Sequence, residues 1–471
     1  MTVPSPTTKA GSMGTHPLSC STKNLYRSSV LVLLGLILLS PFVLLKRDIV
    51  YTVVNEYVSI SSSEGGVDLG RRALERPSSR TAVTTSTSTS TSTSTSTSTS
   101  TSTSAPADCI PVNTESTVDG FFEVPTLEKL GAWTSGKALD LERSVSIVTQ
   151  LSVDRLNMLE NQCRSWDDAL AAVIYVPVDD KKEPYGIKSK LIDIQRSIDS
   201  FFSVMESTPN TCALRVELVG QVIEDERAQP YPINALRNRA MSLAQSPLVF
   251  VLDVDFVASP RLGMPGDGYR DPEVWARLMA LASDRGAVVV PAFELVDGHQ
   301  MEAYIGEHLV KSLVMGGKAG LRKAYKQELV GAFNARDFEA GHGPTNTSRW
   351  IRSKDPHDVY KVDYQDKYEP FVVLARTTAP AADERFVGYG ANKLMFVKSL
   401  EAAGFRFVVQ GSGFVVHVPH PKTSMANRFI AHRKGSSRDP MDVLRDIVEE
   451  ELARGAFRPV VRGCTRPLAE S

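Results

Sequence analysis

The sequence predicts an α/β domain with a mostly parallel central sheet and helices on both faces of that sheet. From residue 146 onward, short apolar runs alternate with segments whose apolar residues recur at helical spacing. Such alternation is typical of chains in which a helix joins each strand to a parallel neighbour. One apolar run, Val249–Leu252, leads directly into two acidic residues, and open α/β sheets bind their ligands at the carboxyl ends of strands. The same pattern therefore predicts both the fold and a candidate site.

The individual elements follow from two periodicities. Apolar residues three or four apart indicate one buried face of a helix, and a short continuous apolar run indicates a strand buried on both faces. The predicted elements are, in order, a strand at 146–151, a helix with Leu156, Leu159, Cys163 and Trp166 on its buried face, a strand at 169–176 closed by Pro177, a helix at 187–205, a strand at 213–219, a helix at 232–244, a strand ending at Asp253, strand-like runs at 286–293, 369–375 and twice within 405–417, and an amphipathic helix at 441–453.

Asp253 and Asp255 are separated by one residue at the end of a predicted strand. Residues i and i+2 of an extended segment point to the same side, so both carboxylates are expected to face one ligand while Val254 turns into the core. Carboxylate oxygens suit Mg²⁺ or Mn²⁺ bound to the phosphates of a nucleotide. A pair of aspartates in a solvated turn is the alternative, and the pattern alone does not exclude it.

The overall charge argues against one class of partner. The 471 residues carry 53 basic and 54 acidic side chains, a formal net charge of −1. A near-neutral chain gives no electrostatic basis for binding nucleic acid, so nucleic acid is not expected as a partner. With 42% hydrophobic residues, the chain is long enough for one large domain or two small ones.

An uncharged stretch near the N-terminus, Ser28–Leu45, predicts a membrane anchor. Its 18 residues lie at the lower end of the ~17–25 that span a bilayer as a helix. The preceding segment contains basic but no acidic residues, which favours a cytosolic N-terminus. A cleaved signal peptide is the rival interpretation, but the long polar segment before the stretch favours the anchor.

A tract of only Ser and Thr, Thr84–Ser104, predicts a stalk, because it has no apolar face with which to build a core. After Pro106 the composition becomes globular. The predicted organisation is a cytosolic tail (1–27), a transmembrane signal anchor (28–45), a luminal stem (46–140) that includes the disordered Ser/Thr stalk (84–104), a folded domain (141–437), and a C-terminal helix and tail (438–471).

The cysteines are compatible with this topology. Cys20 lies on the predicted cytosolic side, whereas Cys109, Cys163, Cys212 and Cys464 would be luminal. Four luminal cysteines allow three disulfide pairings, and the sequence does not separate them.

Several segments of the folded part resemble glycosyltransferase family 49, which includes the β-1,4-glucuronyltransferase and the second catalytic domain of the LARGE-type enzymes that build the dystroglycan glycan. The similarity covers roughly residues 146–422 in ordered blocks. These blocks are YPINALRNRA (231–240), LVFVLDVDF (248–256), PAFE (291–294), GHGPTNTSRW (341–350), DERFVGYGANK (383–393) and GFVVHVPH (413–420).

The resemblance implies a GT-A fold, inversion at the sugar carbon and a metal held by Asp253, Asp255 and His417, with His420 as a weaker candidate ligand. Imidazole beside two carboxylates favours Mn²⁺, and Mg²⁺ is the alternative. Asp253 would also lie near the ribose. Arg237 and Asn238 are expected to bind the donor, through its diphosphate and its base or ribose.

The acceptor side and the catalytic base are less well marked. The resemblance implies that His342, Asn346 and Trp350 shape the acceptor side, where an aromatic ring can stack on a sugar. Gly388 and Gly390 would let the backbone approach the sugars closely. Asp383 or Glu384 is the candidate base for the acceptor hydroxyl. The chain has Ala-Asn-Lys at 391–393, where other inverting enzymes of this fold carry an acidic residue, so the base is not assigned.

The sequence therefore predicts a metal-dependent inverting enzyme that moves glucuronate or N-acetylglucosamine, in β-1,3 or β-1,4 linkage, from a UDP-sugar to a glycan or glycoprotein acceptor. An anchor, a Ser/Thr stalk and a luminal domain are the layout of Golgi glycosyltransferases, so a single-pass type II protein of the Golgi membrane is expected. A non-catalytic, membrane-anchored glycan-binding protein that keeps the fold is the alternative. A transferase of phosphosugars using the same carboxylates is a third possibility.

Overall fold

The computed structural model describes residues 110–111, 124–179, 187–223, 230–264, 266–421 and 439–462. The predicted anchor (28–45) and the Ser/Thr stalk (84–104) lie outside these ranges. Among the described residues, no helix combines the length and the apolar character that crossing a membrane would require.

The strands confirm the predicted series and extend it. They are β1 (Ile110–Pro111), β2 (Glu128–Thr134), β3 (Val145–Ser152), β4 (Ala169–Asp179), β5 (Ala213–Ile223), β6 (Leu248–Val251), β7 (Phe256–Ala258), β8 (Gly286–Val290), β9 (Ala292–Leu295), β10 (Val330–Ala332), β11 (Tyr360–Val362), β12 (Phe371–Ala375), β13 (Arg406–Val409), β14 (Val415–His417) and β15 (Val460–Val461).

The helices alternate with the strands, as the periodicity predicts. They are α1 (Leu156–Ser165), α2 (Ile187–Ser207), α3 (Ile233–Leu243), α4 (Pro272–Ala282), α5 (Ala303–Met315), α6 (Gly317–Lys326), α7 (Glu339–His342), α8 (Thr347–Arg352), α9 (Asn392–Ala402) and α10 (Pro440–Ala453). Helix α3 packs on β3 and β4, and α4 packs on β8 and β12.

A nine-stranded sheet forms the centre of the fold, in the order β11-β13-β8-β12-β6-β3-β4-β5-β2. Six of its strands (β3, β4, β5, β6, β8 and β13) run in one direction, and β2, β11 and β12 run against them. The predicted mixed α/β fold with a mostly parallel sheet is therefore confirmed. Strand β12 lies beside β6 and runs antiparallel to it, so β12 begins where β6 ends.

A second sheet of four strands, in the order β10-β9-β14-β7, adjoins the end of the large sheet. The chain passes from the large sheet to the small one three times, from β6 to β7, from β8 to β9 and from β13 to β14. Only Pro291 separates β8 from β9, and a four-residue turn separates β6 from β7. The two predicted aspartates lie in that turn, at the junction between the sheets.

Three boundaries differ from the sequence prediction. Strand β4 continues through Pro177 instead of ending there. At this position β4 pairs only with β5, because β3 has already ended at Ser152. The N–H group that proline lacks is therefore not needed for pairing with a second strand. Strand β2 belongs to the edge of the large sheet although it lies within the predicted stem (46–140). Helix α10 packs Leu444 and Val448 against Phe386 and Met395, so the segment after 437 contributes to the same core.

A disulfide joins Cys163 in α1 to Cys212, directly before β5. The other two predicted luminal cysteines, Cys109 and Cys464, lie outside the described residues. The bond fixes α1 to the large sheet, and α1 in turn supports the turn between β6 and β7.

Candidate functional site

The turn that follows β6 separates the two aspartates instead of aligning them. The Phe256 N–H donates a hydrogen bond to the Asp253 carbonyl at 3.1 Å, which closes a turn over residues 253–256. The Gln162 amide of α1 donates to the carbonyl oxygens of Asp253 and Phe256, at 2.8 and 2.9 Å. Val254 is buried as predicted. In a turn, however, residues i and i+2 do not share a face, so the carboxylates of Asp253 and Asp255 have different neighbours.

Asp255 lies beside two histidines, and we call Asp255, His417 and His420 the histidine cluster. One ligand atom from each of the three residues lies within 4.8 Å of the others. The Asp255 Oδ2 atom is 3.0 Å from His420 Nε2 and 3.8 Å from His417 Nε2. Strand pairing explains the contact: His417 in β14 lies opposite Phe256 in β7, and the Val418 N–H donates to the Asp255 carbonyl at 2.8 Å.

The charges around the histidine cluster favour an ionised carboxylate. Burial tends to raise the pKa of Asp255, but the hydrogen bond from His420 and the nearby charges, including Arg155 at 3.5 Å, outweigh it and hold that pKa below its ordinary value. Burial lowers the pKa of His417 to about 4, which keeps this imidazole neutral near pH 7. A neutral imidazole has a nitrogen lone pair free to bind a metal.

The histidine cluster meets the chemical requirements of a divalent cation. The second carboxylate oxygen of Asp255, Oδ1, is buried and accepts no hydrogen bond from the described residues. A buried carboxylate oxygen without a donor is costly unless a ligand satisfies it. One carboxylate and two imidazoles form a mixed oxygen and nitrogen donor set that suits Mn²⁺ better than Mg²⁺. The residues present therefore fit a bound metal.

The expected ligand set of Asp253, Asp255 and His417 differs from this arrangement. The Asp253 carboxylate turns to two cations, Lys393 at 3.1 Å and Arg237 at 3.7 Å, and it is not part of the histidine cluster. His420, predicted as the weaker candidate, is the third member instead. The cause is the turn at 253–256, which a prediction based on an extended strand did not include.

The two predicted donor-binding residues of α3 have different surroundings. Arg237 is buried and lies beside Asn234 and Asp253. Asn238 points instead to the segment before Gly388: its amide nitrogen donates to the Ala382 carbonyl, and its oxygen accepts from the Ala382 N–H, both at 2.8 Å. Arg237 therefore faces the junction of the sheets, whereas Asn238 joins α3 to a loop.

Neither of the two candidate bases has a carboxylate oxygen free of hydrogen bonds. The Asp383 side chain is 3% exposed, and both of its oxygens accept from the Arg385 guanidinium, at 2.6–3.1 Å. Glu384 is buried and accepts from Asn238 and from the Arg462 N–H, each at 2.9 Å. We call residues 382–385 the acidic segment. Its carboxylates form internal ion pairs and hydrogen bonds, and this geometry does not support the predicted role as base.

The three predicted acceptor residues have different surroundings, two of them buried and one exposed. Trp350 is 1% exposed and donates to the Gln410 carbonyl at 2.9 Å, so its ring has no face to offer a sugar. His342 is buried between Phe333 and Phe371, and burial lowers its pKa to about 3. Asn346 is exposed, and its side chain accepts from the Arg349 N–H at the start of α8.

The predicted glycine turn is present before α9. Gly388 and Gly390 have φ values of 73° and 115°, in the region where a side chain would be strained. Between them, Tyr389 is 56% exposed. Although more than half of the residue is accessible, partial burial raises its pKa, and the charges of Glu369, Asp255 and Asp253 act in the same direction.

Sequence reasoning missed Arg155, Gln162, Glu369 and Lys393. Three of them lie at or just before the start of a regular element: Arg155 precedes α1, Glu369 lies two residues before β12, and Lys393 is in the first turn of α9. Lys393 is the last residue of the block DERFVGYGANK (383–393), and its charge next to the glycine turn was a usable signal.

Comparison with known proteins identifies the family. The sequence profile described as "Glycosyl-transferase for dystroglycan" matches residues 144–453. Human xylosyl- and glucuronyltransferase LARGE2 is 30% identical over 311 residues, which cover 66% of this chain and 37% of the relative. Xylosyl- and glucuronyltransferase LARGE1 of Gallus gallus is 28% identical over 312 residues, 66% of this chain and 35% of the relative. The chain thus spans little more than a third of the length of these relatives.

Among solved structures, S. aureus TarS 1-349 in complex with UDP-GlcNAc matches with 11% identity and a TM-score of 0.28, over 66% of each chain. A TM-score this low carries no argument about the fold. The family profile, in contrast, extends from residue 144 to residue 453, the last residue of α10. The chain therefore belongs to this family of glycosyltransferases.

Proposed function

We propose that this chain is a metal-dependent, inverting glycosyltransferase of the GT-A fold that moves a sugar from a UDP-sugar to a hydroxyl group of a glycan. The observation that carries the proposal is the histidine cluster, located where β6 ends, with an Asp255 Oδ1 atom that has no hydrogen-bond partner among the described residues. Family membership limits the chemistry to sugar transfer. The position at the carboxyl end of a parallel strand is the usual place of a nucleotide site in α/β sheets.

Different residues of the junction would bind the metal and the diphosphate. Asp255, His417 and His420 would hold Mn²⁺, with Mg²⁺ as the alternative, and a bound metal would supply positive charge to the diphosphate leaving group. Lys393 and Arg237 lie beside Asp253 and add two fixed cations to the same region. Arginine and lysine are the usual partners of phosphate oxygens in proteins. The glycine turn at 388–390, which has no side chain at Gly388 or Gly390, would let a sugar approach the backbone closely.

The donor is UDP-glucuronate or UDP-N-acetylglucosamine by the resemblance described above, with a β-1,3 or β-1,4 linkage as product. The names of the relatives, xylosyl- and glucuronyltransferases, support glucuronate and add xylose. Two cations at the junction would also suit a donor that carries a carboxylate.

The proposal includes the location. The uncharged stretch 28–45 would anchor the chain as a type II protein of the Golgi membrane, and the Ser/Thr tract 84–104 would hold the folded part away from the membrane. The acceptor would then be a glycan or glycoprotein in the Golgi lumen.

Release of UDP by the full-length protein in detergent tests the proposal. The protein is incubated with Mn²⁺, with UDP-glucuronate, UDP-N-acetylglucosamine or UDP-xylose, and with a panel of aryl glycosides as acceptors. We expect release with at least one donor, its loss with chelator, and a decrease of at least about 10³-fold for Asp255→Asn, since one carboxylate ligand and its charge are removed.

The matched control is Asp284→Asn. This aspartate is highly exposed and pairs with Arg406 on the surface, so UDP release should stay at the wild-type rate. If no donor is consumed with any acceptor, or if Asp255→Asn releases UDP as fast as the wild type, the proposed function is wrong.

A further inference from the structure

One acidic residue at the sheet junction, Glu369, has no role in the arrangement described so far. It lies two residues before β12, and β12 runs antiparallel to β6 with Val372 opposite Val251. The segment that precedes β12 therefore lies beside the turn that follows β6. The Glu369 N–H donates to the Gly341 carbonyl at 2.9 Å, which fixes the backbone at this point.

The surroundings of Glu369 are those of the candidate site. The charges that influence its carboxyl come from three different elements: Lys393 in α9, Asp253 in the turn after β6, and Arg237 in α3. The exposed Tyr389 of the glycine turn is influenced in turn by the charge of Glu369. The side chain is half-buried, so it lies in the protein without being sealed from the solvent.

Glu369 differs from the other carboxylates near the junction in having an uncommitted carboxylate. Among the described residues, no group donates a hydrogen bond to it or pairs with it within ion-pair distance. Asp253 is paired with Lys393, Asp255 belongs to the histidine cluster, and Asp383 is paired with Arg385. Glu369 is thus the carboxylate of this region that can still accept a proton from a bound molecule.

The pKa of Glu369 agrees with such a role. Burial raises it above the ordinary value for glutamate, although the charge of Lys393 acts in the opposite direction. A carboxylate with a raised pKa holds a transferred proton more readily than one with a depressed pKa.

We propose that Glu369 is the catalytic base that takes the proton from the acceptor hydroxyl, and this rests on the proposed function. In the step, the acceptor O–H bond breaks and its proton moves to a carboxylate oxygen of Glu369. The acceptor oxygen forms a bond to the anomeric carbon, and the bond from that carbon to the diphosphate oxygen breaks. UDP leaves with the electron pair, and Glu369 afterwards returns the proton to water.

The assignment explains a departure from other inverting enzymes. The glycine turn is followed here by Ala391, Asn392 and Lys393, none of which can act as a carboxylate base. Lys393 instead lies 3.1 Å from Asp253 and contributes positive charge near Glu369. The acidic function would thus be supplied from the start of β12, and the position after the glycine turn would carry a cation.

The test compares Glu369→Gln with Glu401→Gln in the full-length protein, using the UDP-sugar and acceptor that the wild type consumes. Glutamine keeps the size of the side chain but cannot accept the proton. We expect kcat of Glu369→Gln to fall by about 10²–10⁴-fold, the usual contribution of a general base, while Mn²⁺-dependent UDP binding changes little. Glu401 is exposed near the end of α9, so Glu401→Gln should keep the wild-type kcat.

Chemical rescue separates a base from a structural carboxylate. Sodium formate should restore part of the activity of Glu369→Ala, and sodium chloride at the same ionic strength should not. Glu369→Asp should be intermediate in kcat, which keeps the test informative if glutamine disturbs folding.

The outcomes distinguish this assignment from the proposed function. If the wild type turns over and Glu369→Gln loses less than about tenfold in kcat, Glu369 is not the base. The same conclusion follows if UDP binding falls as much as kcat, or if formate restores nothing. If the wild type itself consumes no donor, the proposed function fails, and the assignment fails with it.

Discussion

Two acidic regions of the molecule, the histidine cluster and the acidic segment at 382–385, contain the same type of side chain in opposite states. Within the part of the chain that the structure describes, one buried oxygen of Asp255 has no hydrogen-bond donor, whereas both oxygens of Asp383 accept from Arg385. A saturated carboxylate contributes to folding, because removing its partner leaves a buried charge uncompensated. A buried carboxylate with an open oxygen costs stability unless a ligand binds it. The comparison teaches that hydrogen-bond saturation, more than residue type, separates structural from functional carboxylates here.

Asp383→Asn tests the structural side of this comparison and has the largest expected effect. The substitution leaves the mostly buried Arg385 guanidinium without its main partner, so we expect the free energy of unfolding to fall by about 3–5 kcal/mol. Chemical denaturation followed by circular dichroism measures the change. Asp284→Asn, which alters an exposed pair, is the matched control. A variant as stable as the wild type that no longer transfers sugar would return Asp383 to the role of base.

His420→Ala tests whether the histidine cluster binds a metal. Loss of one of three candidate ligands should weaken Mn²⁺ binding in the presence of UDP by at least about 100-fold, more than the loss of an outer-shell partner. The free energy of unfolding without metal should change less, because Arg155 and His417 still flank the Asp255 carboxylate. Isothermal titration calorimetry gives the affinity, and His357→Ala, at an exposed position, is the control. Equal affinity in both variants would remove His420 from the cluster.

Lys393→Met tests whether Asp253 and its cations bind the donor while Asp255 binds the metal. Of the three substitutions, it has the smallest expected effect. Lys393 contacts Asp253 but belongs to neither region of the comparison. If its charge holds the diphosphate, the KM for the UDP-sugar should rise by about tenfold, the equivalent of one hydrogen bond to a charged group. The affinity for Mn²⁺ alone should stay close to the wild-type value. Steady-state kinetics measures the KM, and Lys361→Met on the exposed part of β11 is the control. An unchanged KM would exclude Lys393 from donor binding.

Much of the fold could be predicted from local patterns. The alternation of apolar runs with helical stripes located β3 to β6 and the helices between them, because each element carries its own periodicity. Strand ends were less accurate, as Pro177 shows: whether proline is tolerated depends on which neighbours are present, and that is decided by the register between β3, β4 and β5.

The site was predictable in composition but not in arrangement. Asp255 and His417 were expected together, and the pairing of β7 with β14 brings them together. The side chains of Asp253 and Asp255 have different neighbours because of a turn over residues 253–256, and an apolar strand pattern does not predict that turn. Trp350 is buried with its N–H bonded to the carbonyl of Gln410, 60 residues away, and Glu369 reaches the site through an antiparallel neighbour of β6. Such long-range relations have no signature in one sequence.

The most direct test of the central claim is anomalous diffraction at the manganese absorption edge, from crystals of the protein grown with Mn²⁺ and UDP. We predict a single strong peak within coordination distance, about 2–2.3 Å, of Asp255, His417 and His420, with the UDP phosphates beside it. A manganese peak bound by other residues, or UDP bound with no peak at the histidine cluster, would contradict the account.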